Sequence, residues 1–184
     1  DDKIIKMLSG LSDKEKQIAL TQLTHTENRA NTFFHDYNSK HIKIAVMPDQ
    51  HYGSKYHNKK IHDDFIKVIK KEKIDAVYNV GDIIEGMSNR DGHIFEIEIL
   101  GTSAQVNYAA ERLKEITVPL YFITGNHDEW AEKRSNQGVE VGDMIERQVP
   151  GSKFLGKYVA DINLGKGVIM RLSHEGNTAY ALSY

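Results

Sequence analysis

A chain of 184 residues, 40% hydrophobic and 27% charged, has the composition of an ordinary globular domain and enough length to bury a substantial core. Its formal net charge of −2 excludes a global basic field for nucleic acid, so any such surface would have to be local. The absence of cysteine excludes disulfides, thiolate metal sites and a cysteine nucleophile.

No apolar run approaches the roughly 20 residues of a membrane-spanning helix, and no signal-peptide pattern opens the chain. A cytoplasmic location is the expectation, and the start at Asp1 rather than Met suggests a trimmed chain.

In chain order, Ile4, Ile5, Met7 and Leu8, then Ile18, Ala19, Leu20 and Leu23, recur at roughly helical spacing. Ser12 and Glu15 form a capping box. Two short helices are expected there, followed by a polar linker from Asn28 to Lys40, so residues 1–40 form an N-terminal segment and 41–184 the main domain. In His41–Met47, Ile42, Ile44 and Val46 alternate as in a strand that Pro48 ends. A helix is expected over Lys59–Lys73, with Ile61, Phe65, Val68 and Ile69 on one face, then a strand over Ile74–Val80 and a loop over Gly81–Gly92. A helix over Ser103–Ile116, a strand over Val118–Thr124 and a helix over Gly138–Gln148 come next. Lys157–Asn163 and Gly167–Ser173 read as a strand pair joined at Gly165–Lys166–Gly167. Strands alternating with helices to about residue 150 imply parallel βαβ units, and the last pair implies an antiparallel addition.

Metal-binding residue types end each of four strands: Asp49-Gln50-His51, Gly81-Asp82-Ile83-Ile84-Glu85, Gly125-Asn126-His127-Asp128, and Ser173-His174-Glu175-Gly176. Ligands of open α/β sheets bind outside the carboxyl ends of the strands. Separate strands would therefore deliver Asp49, His51, Asp82, Asn126, His127 and His174 to one crevice. Carboxylate, imidazole and amide oxygen suit two divalent metals, manganese first, with iron, zinc, magnesium or nickel acceptable. An Asp has two oxygens and can bridge paired ions that share an activated water. Gly81 and Gly125 fit tight turns at which backbone approaches a ligand. Any one of the nine histidines is more often a plain surface residue, and Asp-x-His or Gly-Asp alone is weak. Four such groups in order, each at a strand end, are hard to obtain by accident.

With these residues the chain resembles the calcineurin-like metallophosphoesterase superfamily, whose signature runs D-x-H, G-D-x-x-(D/E), G-N-H-(D/E), a lone H, then G-H-x-H. The resemblance covers residues 41 to 184 and four of the five motifs. It implies an α/β fold of four layers, a mixed β-sandwich flanked by helices, and hydrolysis of a phosphate ester by a metal-bridging hydroxide. It also implies that Asp49 and His51 hold one ion, that Asp82 bridges, and that Asn126 and His174 hold the other. His127 would face the substrate, stabilising the phosphoryl group or protonating the leaving oxygen, and Asp128 would orient His127. The final G-H-x-H is not in this sequence, which reads as C-terminally incomplete. Weak metal binding and low activity are expected of the chain as it stands, with both sites complete in the intact protein.

The family hosts several chemistries, so membership does not name a substrate. Met87 and Asp128 depart from the Ser/Thr protein phosphatase pattern. Asp49 to Lys55 resembles the first motif of the small subunit of archaeal D-family DNA polymerases, and the stretch from Ser173 to Tyr184 resembles phage and archaeal metallophosphoesterases. Lys55, Lys59, Lys60, Lys67, Lys70, Lys71 and Lys73 could hold phosphates, although a lysine-rich amphipathic helix is usually just a solvated face. Tyr52 could stack on a base, as could Tyr56 and His57, while Arg90 and His93 could reach a phosphate. The expected activity is metal-dependent hydrolysis of phosphodiesters, with DNA or RNA among the candidate partners. The alternatives are a phosphomonoesterase for small molecules or nucleotides, and a non-catalytic subunit that keeps the fold.

Overall fold

The computed structural model describes residues 31–35, 37, 39, 41–135 and 140–174. The chain divides into two compact units, Asp1–Asn31 and Thr32–Tyr184. The second unit carries the motifs. The two helices expected before residue 30 lie outside the described residues, as do the residues after His174.

Among the described residues seven strands, β1 (Asn31–Phe34), β2 (Ile44–Met47), β3 (Ala76–Asn79), β4 (Leu120–Thr124), β5 (Ser152–Lys157), β6 (Val159–Asn163) and β7 (Ile169–Ser173), form two sheets. One is ordered β2-β3-β4-β5 and the other β1-β6-β7. Four α-helices of the described residues flank them: α1 (Lys59–Glu72), α2 (Thr102–Leu113), α3 (Asn126–Ser135) and α4 (Val141–Gln148). This is the mixed β-sandwich with flanking helices that the family resemblance implied.

Pairing is parallel throughout the first sheet and antiparallel between β6 and β7. The parallel part thus extends to Lys157, past the boundary near 150 read from the pattern. β1 is a correction: Asn31–Phe34 joins the second sheet, where a polar linker was expected. The helix α3 was likewise not foreseen, because Asn126–Ser135 is polar along most of its length.

Alternation sends successive strand residues into two cores. Val77, Leu120 and Phe122 pack with Val106, Ala109, Ala110 and Leu113 of α2 on the helical side. Ala76, Tyr78 and Ile123 meet Leu155, Ala160, Ile162 and Leu172 between the sheets. Full burial of each large side chain contributes about 1.5–3 kcal/mol. Helix α1 starts at Asn58, whose side chain accepts from the Ile61 N–H at 3.2 Å, and it ends at Lys73 in the left-handed region, φ 53°. With β3 buried on both faces, the residues just after it emerge at the carboxyl edge beside those after β2 and β4.

Candidate metal centre

Loops leaving β2 and β3 are zipped together beyond the strands. The N–H of His51 donates to Asp82 O at 3.0 Å, and that of Tyr52 to Ile83 O at 2.8 Å. Asp49, His51 and Asp82 all hold positive φ, at 34°, 46° and 50°. Such conformations are unfavourable for non-glycine residues and persist where the surroundings over-determine them. The strain therefore sits on three of the residues that the sequence nominated as ligands.

Asp128, wholly buried near the start of α3, staples this edge. Its carboxylate accepts the N–H groups of Ile83 (3.2 Å), Ile84 (2.9 Å) and Gly125 (2.9 Å). Burial pushes its carboxyl up, to about 7, against those three donors. This differs from the expected role: Asp128 fixes loop backbone and does not orient His127. The His127 ring is set by its Nδ1–H, which donates to the Glu85 carbonyl at 2.8 Å, and by Trp130, whose ring centre lies 3.9 Å away.

Asp82 sits between two groups of donors. One is His51, Asp82 and His127; the other is Asp49, Asp82 and His174; in each, the ligand atoms lie within 4.8 Å of one another. Asp82 Oδ2 is 3.7 Å from His51 Nε2, and Oδ1 is 3.3 Å from His174 Nε2. Asp49 lies with His174, Oδ1 to Nδ1 3.8 Å, instead of sharing a group with His51. Asn126 Oδ1 is 2.9 Å from His174 Nε2.

The donor set fits a cation. Val80 O accepts from His174 Nδ1–H at 2.9 Å, so in the neutral ring Nε2 turns a lone pair toward Asn126 Oδ1 and Asp82 Oδ1. Three acceptors converge there, which either a metal ion or protonation of the ring would reconcile. The Asp82 carboxylate accordingly raises the His174 pKa. Burial pulls the His51 pKa down, but the hydrogen bond to Glu85 and the charge of Asp82 more than offset it, so the ring titrates above its ordinary value. Burial likewise works to raise Asp82, but its contacts with His174 and with the His127 N–H reverse this, leaving it below the usual carboxylate range. For His127 burial wins and lowers the pKa.

Two glycines make the convergence possible. A Cβ on Gly125 would stand 2.3 Å from Asp82 Oδ1 and 2.6 Å from His174 Nε2, and one on Gly81 would meet His174 Nδ1 at 2.9 Å.

Glu85 was quoted in the second motif but not nominated as a site residue. It accepts from His51 Nδ1 at 3.0 Å and from His93 Nε2 at 2.7 Å. Burial would raise its carboxyl, but these two hydrogen bonds hold it at about 2. It fixes which His51 nitrogen faces Asp82, the usual office of a carboxylate behind a ligating histidine. The last position of the motif was the available signal. Trp130 carried none.

The expected substrate contacts fare differently. Tyr52 is fully buried and its hydroxyl meets His62 Nδ1 at 2.9 Å, so it has no ring face for a base. His93 is buried and occupied by Glu85 and by the Ser88 N–H. Lys55 is exposed and outside the cavity that adjoins the centre, whereas Arg90 lines that cavity and pairs with Glu96 at 2.5 Å. The α1 lysines are a solvated face: Lys60 and Lys67 pair with Asp64, and Lys59 with Glu98.

Among the described residues no helix is long and apolar enough to cross a membrane. A family model described as calcineurin-like phosphoesterase matches residues 42–177, the span that carries all four motifs. No curated protein matches the chain significantly.

Proposed function

The chain belongs to the calcineurin-like phosphoesterase family, and from that premise we propose that it is a hydrolase of phosphodiesters dependent on two divalent ions, manganese the first choice. Asp82 carries the reading, since both donor groups meet on its carboxylate. Asp49, His51, Asp82, Asn126 and His174 would hold the ions. Bound divalent ions would supply an acidified water and neutralise charge on the phosphoryl oxygens.

In the reaction one P–O ester bond breaks, the oxygen of water joins phosphorus, and a proton ends on the departing alcohol. We assign that proton to His127. Its Nδ1–H is committed to the Glu85 carbonyl, so Nε2 can donate to a leaving oxygen only as the imidazolium; burial disfavours that form and lowers the pKa, and the charge of Asp82, 4.0 Å from Nε2, offsets this only in part. Trp130 and Glu85 O hold the ring in place meanwhile.

Apart from the ions themselves, the charge of the lining favours a diester over a monoester. A monoester is close to a dianion at neutral pH, its second pKa being about 6, while a diester carries one charge. Among the described residues Arg90 is the one lysine or arginine lining the cavity, and it is already paired with Glu96.

The test is hydrolysis of bis(4-nitrophenyl) phosphate and of 4-nitrophenyl phosphate with manganese and with chelator, in the wild type and in Asp82→Asn. Chelator-sensitive cleavage of the diester, lost in a folded Asp82→Asn protein, is expected. Turnover retained by Asp82→Asn would overturn the assignment. Cleavage of the monoester alone would replace the diester reading with a phosphomonoesterase.

A further inference from the structure

The cavity beside the centre, about 540 Å³, is lined by His51, Glu85 and His127 of the centre. Its wall also takes in Val46 of β2, Ile61 and Phe65 of α1, and Tyr56. Three of these are exposed: Tyr56 78%, Ile61 66% and Val46 51%. Scattered exposed apolar residues need no explanation, but a cluster on one wall of a cavity marks a binding surface.

We infer that this wall is a specificity subsite for the organic group esterified to the phosphate, and that this group carries an aromatic ring or an apolar body of similar size. The inference rests on the phosphodiesterase reading, because it is the shared cavity that ties the apolar wall to the centre. An apolar group seated on Ile61 and Val46 would leave the phosphoryl group to His51 and His127. A polynucleotide track is not what the wall fits. Strand backbones are gripped by several cations, and Arg90 with its Glu96 partner is the only fixed one on this lining among the described residues. The small monoanionic diester of an aromatic alcohol or of a single nucleoside is the class that matches.

The experiment compares two ligands of equal charge, dimethyl phosphate and methyl phenyl phosphate, whose difference is one ring. Affinities are measured by calorimetry, and from the fluorescence of Trp130 beside His127, with manganese and again with chelator. Hydrolysis of bis(4-nitrophenyl) phosphate is followed in parallel. The ring-bearing ester is expected to bind about tenfold tighter or more, with the preference persisting in chelator and shrinking severalfold in Ile61→Asn and in Tyr56→Ser. Both substitutions fall on exposed side chains, and the wild-type comparison stands without them. Hydrolysis with equal affinities for the two esters would overturn the subsite and leave the phosphodiesterase reading intact. Absence of hydrolysis of any diester would overturn both. Tighter, steeply salt-dependent binding of a single-stranded oligonucleotide, with no ring preference among the small esters, would also overturn it in favour of a polynucleotide substrate.

Discussion

Individual atoms decide the centre. Gly125 lets Asp82 and His174 approach each other, and a single methyl there would stand inside the contact distance of both. Gly125→Ala is therefore expected to lower manganese affinity by about 10–100-fold, the range seen when groups that orient ligands are disturbed. The fold should survive, since Gly125 lies outside both apolar cores. Calorimetric titration beside a circular dichroism melt separates the two effects; unchanged affinity would remove Gly125 from the site.

His62 gives a prediction of another kind. It is buried beside Tyr52, and burial lowers its pKa from 6.5 to about 4. The unfolded chain therefore binds this proton more readily than the folded one. The neutral ring's contribution is complete above pH 6.5 and is lost as pH falls toward 4, by about 2 kcal/mol at pH 5. Urea midpoints at pH 7.5 and pH 5, taken in chelator, should fall more for the wild type than for His62→Gln; parallel falls would refute the buried neutral histidine.

At the scale of elements, Tyr78 of β3 joins the strand that begins the described chain to the main sheet. Its hydroxyl is 3.0 Å from His35 Nδ1 and 2.8 Å from the Tyr37 hydroxyl. Tyr78→Phe keeps the ring, stacked at 5.2 Å on Tyr121, but leaves two part-buried polar groups without this partner. A loss of about 1–2 kcal/mol is expected. Tyr37→Phe, which strips one bond only, should cost less, and a chemical denaturation series checks the order. This tie also shows why the segment was not legible. Asn31–Phe34 is four residues long, too short for alternation to stand out, and its partner β6 lies more than 100 residues along the chain. β5 has Ser152, Lys153, Gly156 and Lys157 and no apolar period, yet a parallel neighbour holds it in place. By contrast α1, α2, β3 and β4 are where periodicity placed them, within a few residues, because α2, β3 and β4 bury continuous apolar faces; the inward face of α1 is His62, Ile66 and Ile69, while Ile61 and Val68 of the expected face are exposed. The ligand types were legible because they stand at strand ends. The office of Asp128 was not: two of its three N–H donors, Ile83 and Ile84, belong to a loop held in place by pairing with His51 and Tyr52 of the loop leaving β2.

Taken whole, the centre is a compromise between carboxylates and imidazoles. Asp82 and Glu85 are buried carboxylates whose neighbours at the centre are histidines, so the raised pKa values of His51 and His174 reflect rings that answer the carboxylate charge with protons. Metal ligation needs those imidazoles neutral. Manganese binding near pH 6.5 should consequently release protons, and more of them as pH falls from 8 toward 6, because the raised folded pKa values leave more rings to deprotonate. Calorimetry in two buffers of different ionisation enthalpy counts those protons directly. The same linkage sets stability. At about 100 times its dissociation constant the ion adds about 2.7 kcal/mol, an increase of about 5–10 °C in Tm for a protein of this size. At a fixed manganese concentration the increase should be larger at pH 8 than at pH 6, since competing protons weaken binding at the lower pH. A rise in Tm independent of pH, with no proton release, would mean that the ion binds on surface carboxylates and that the two histidines are not its ligands.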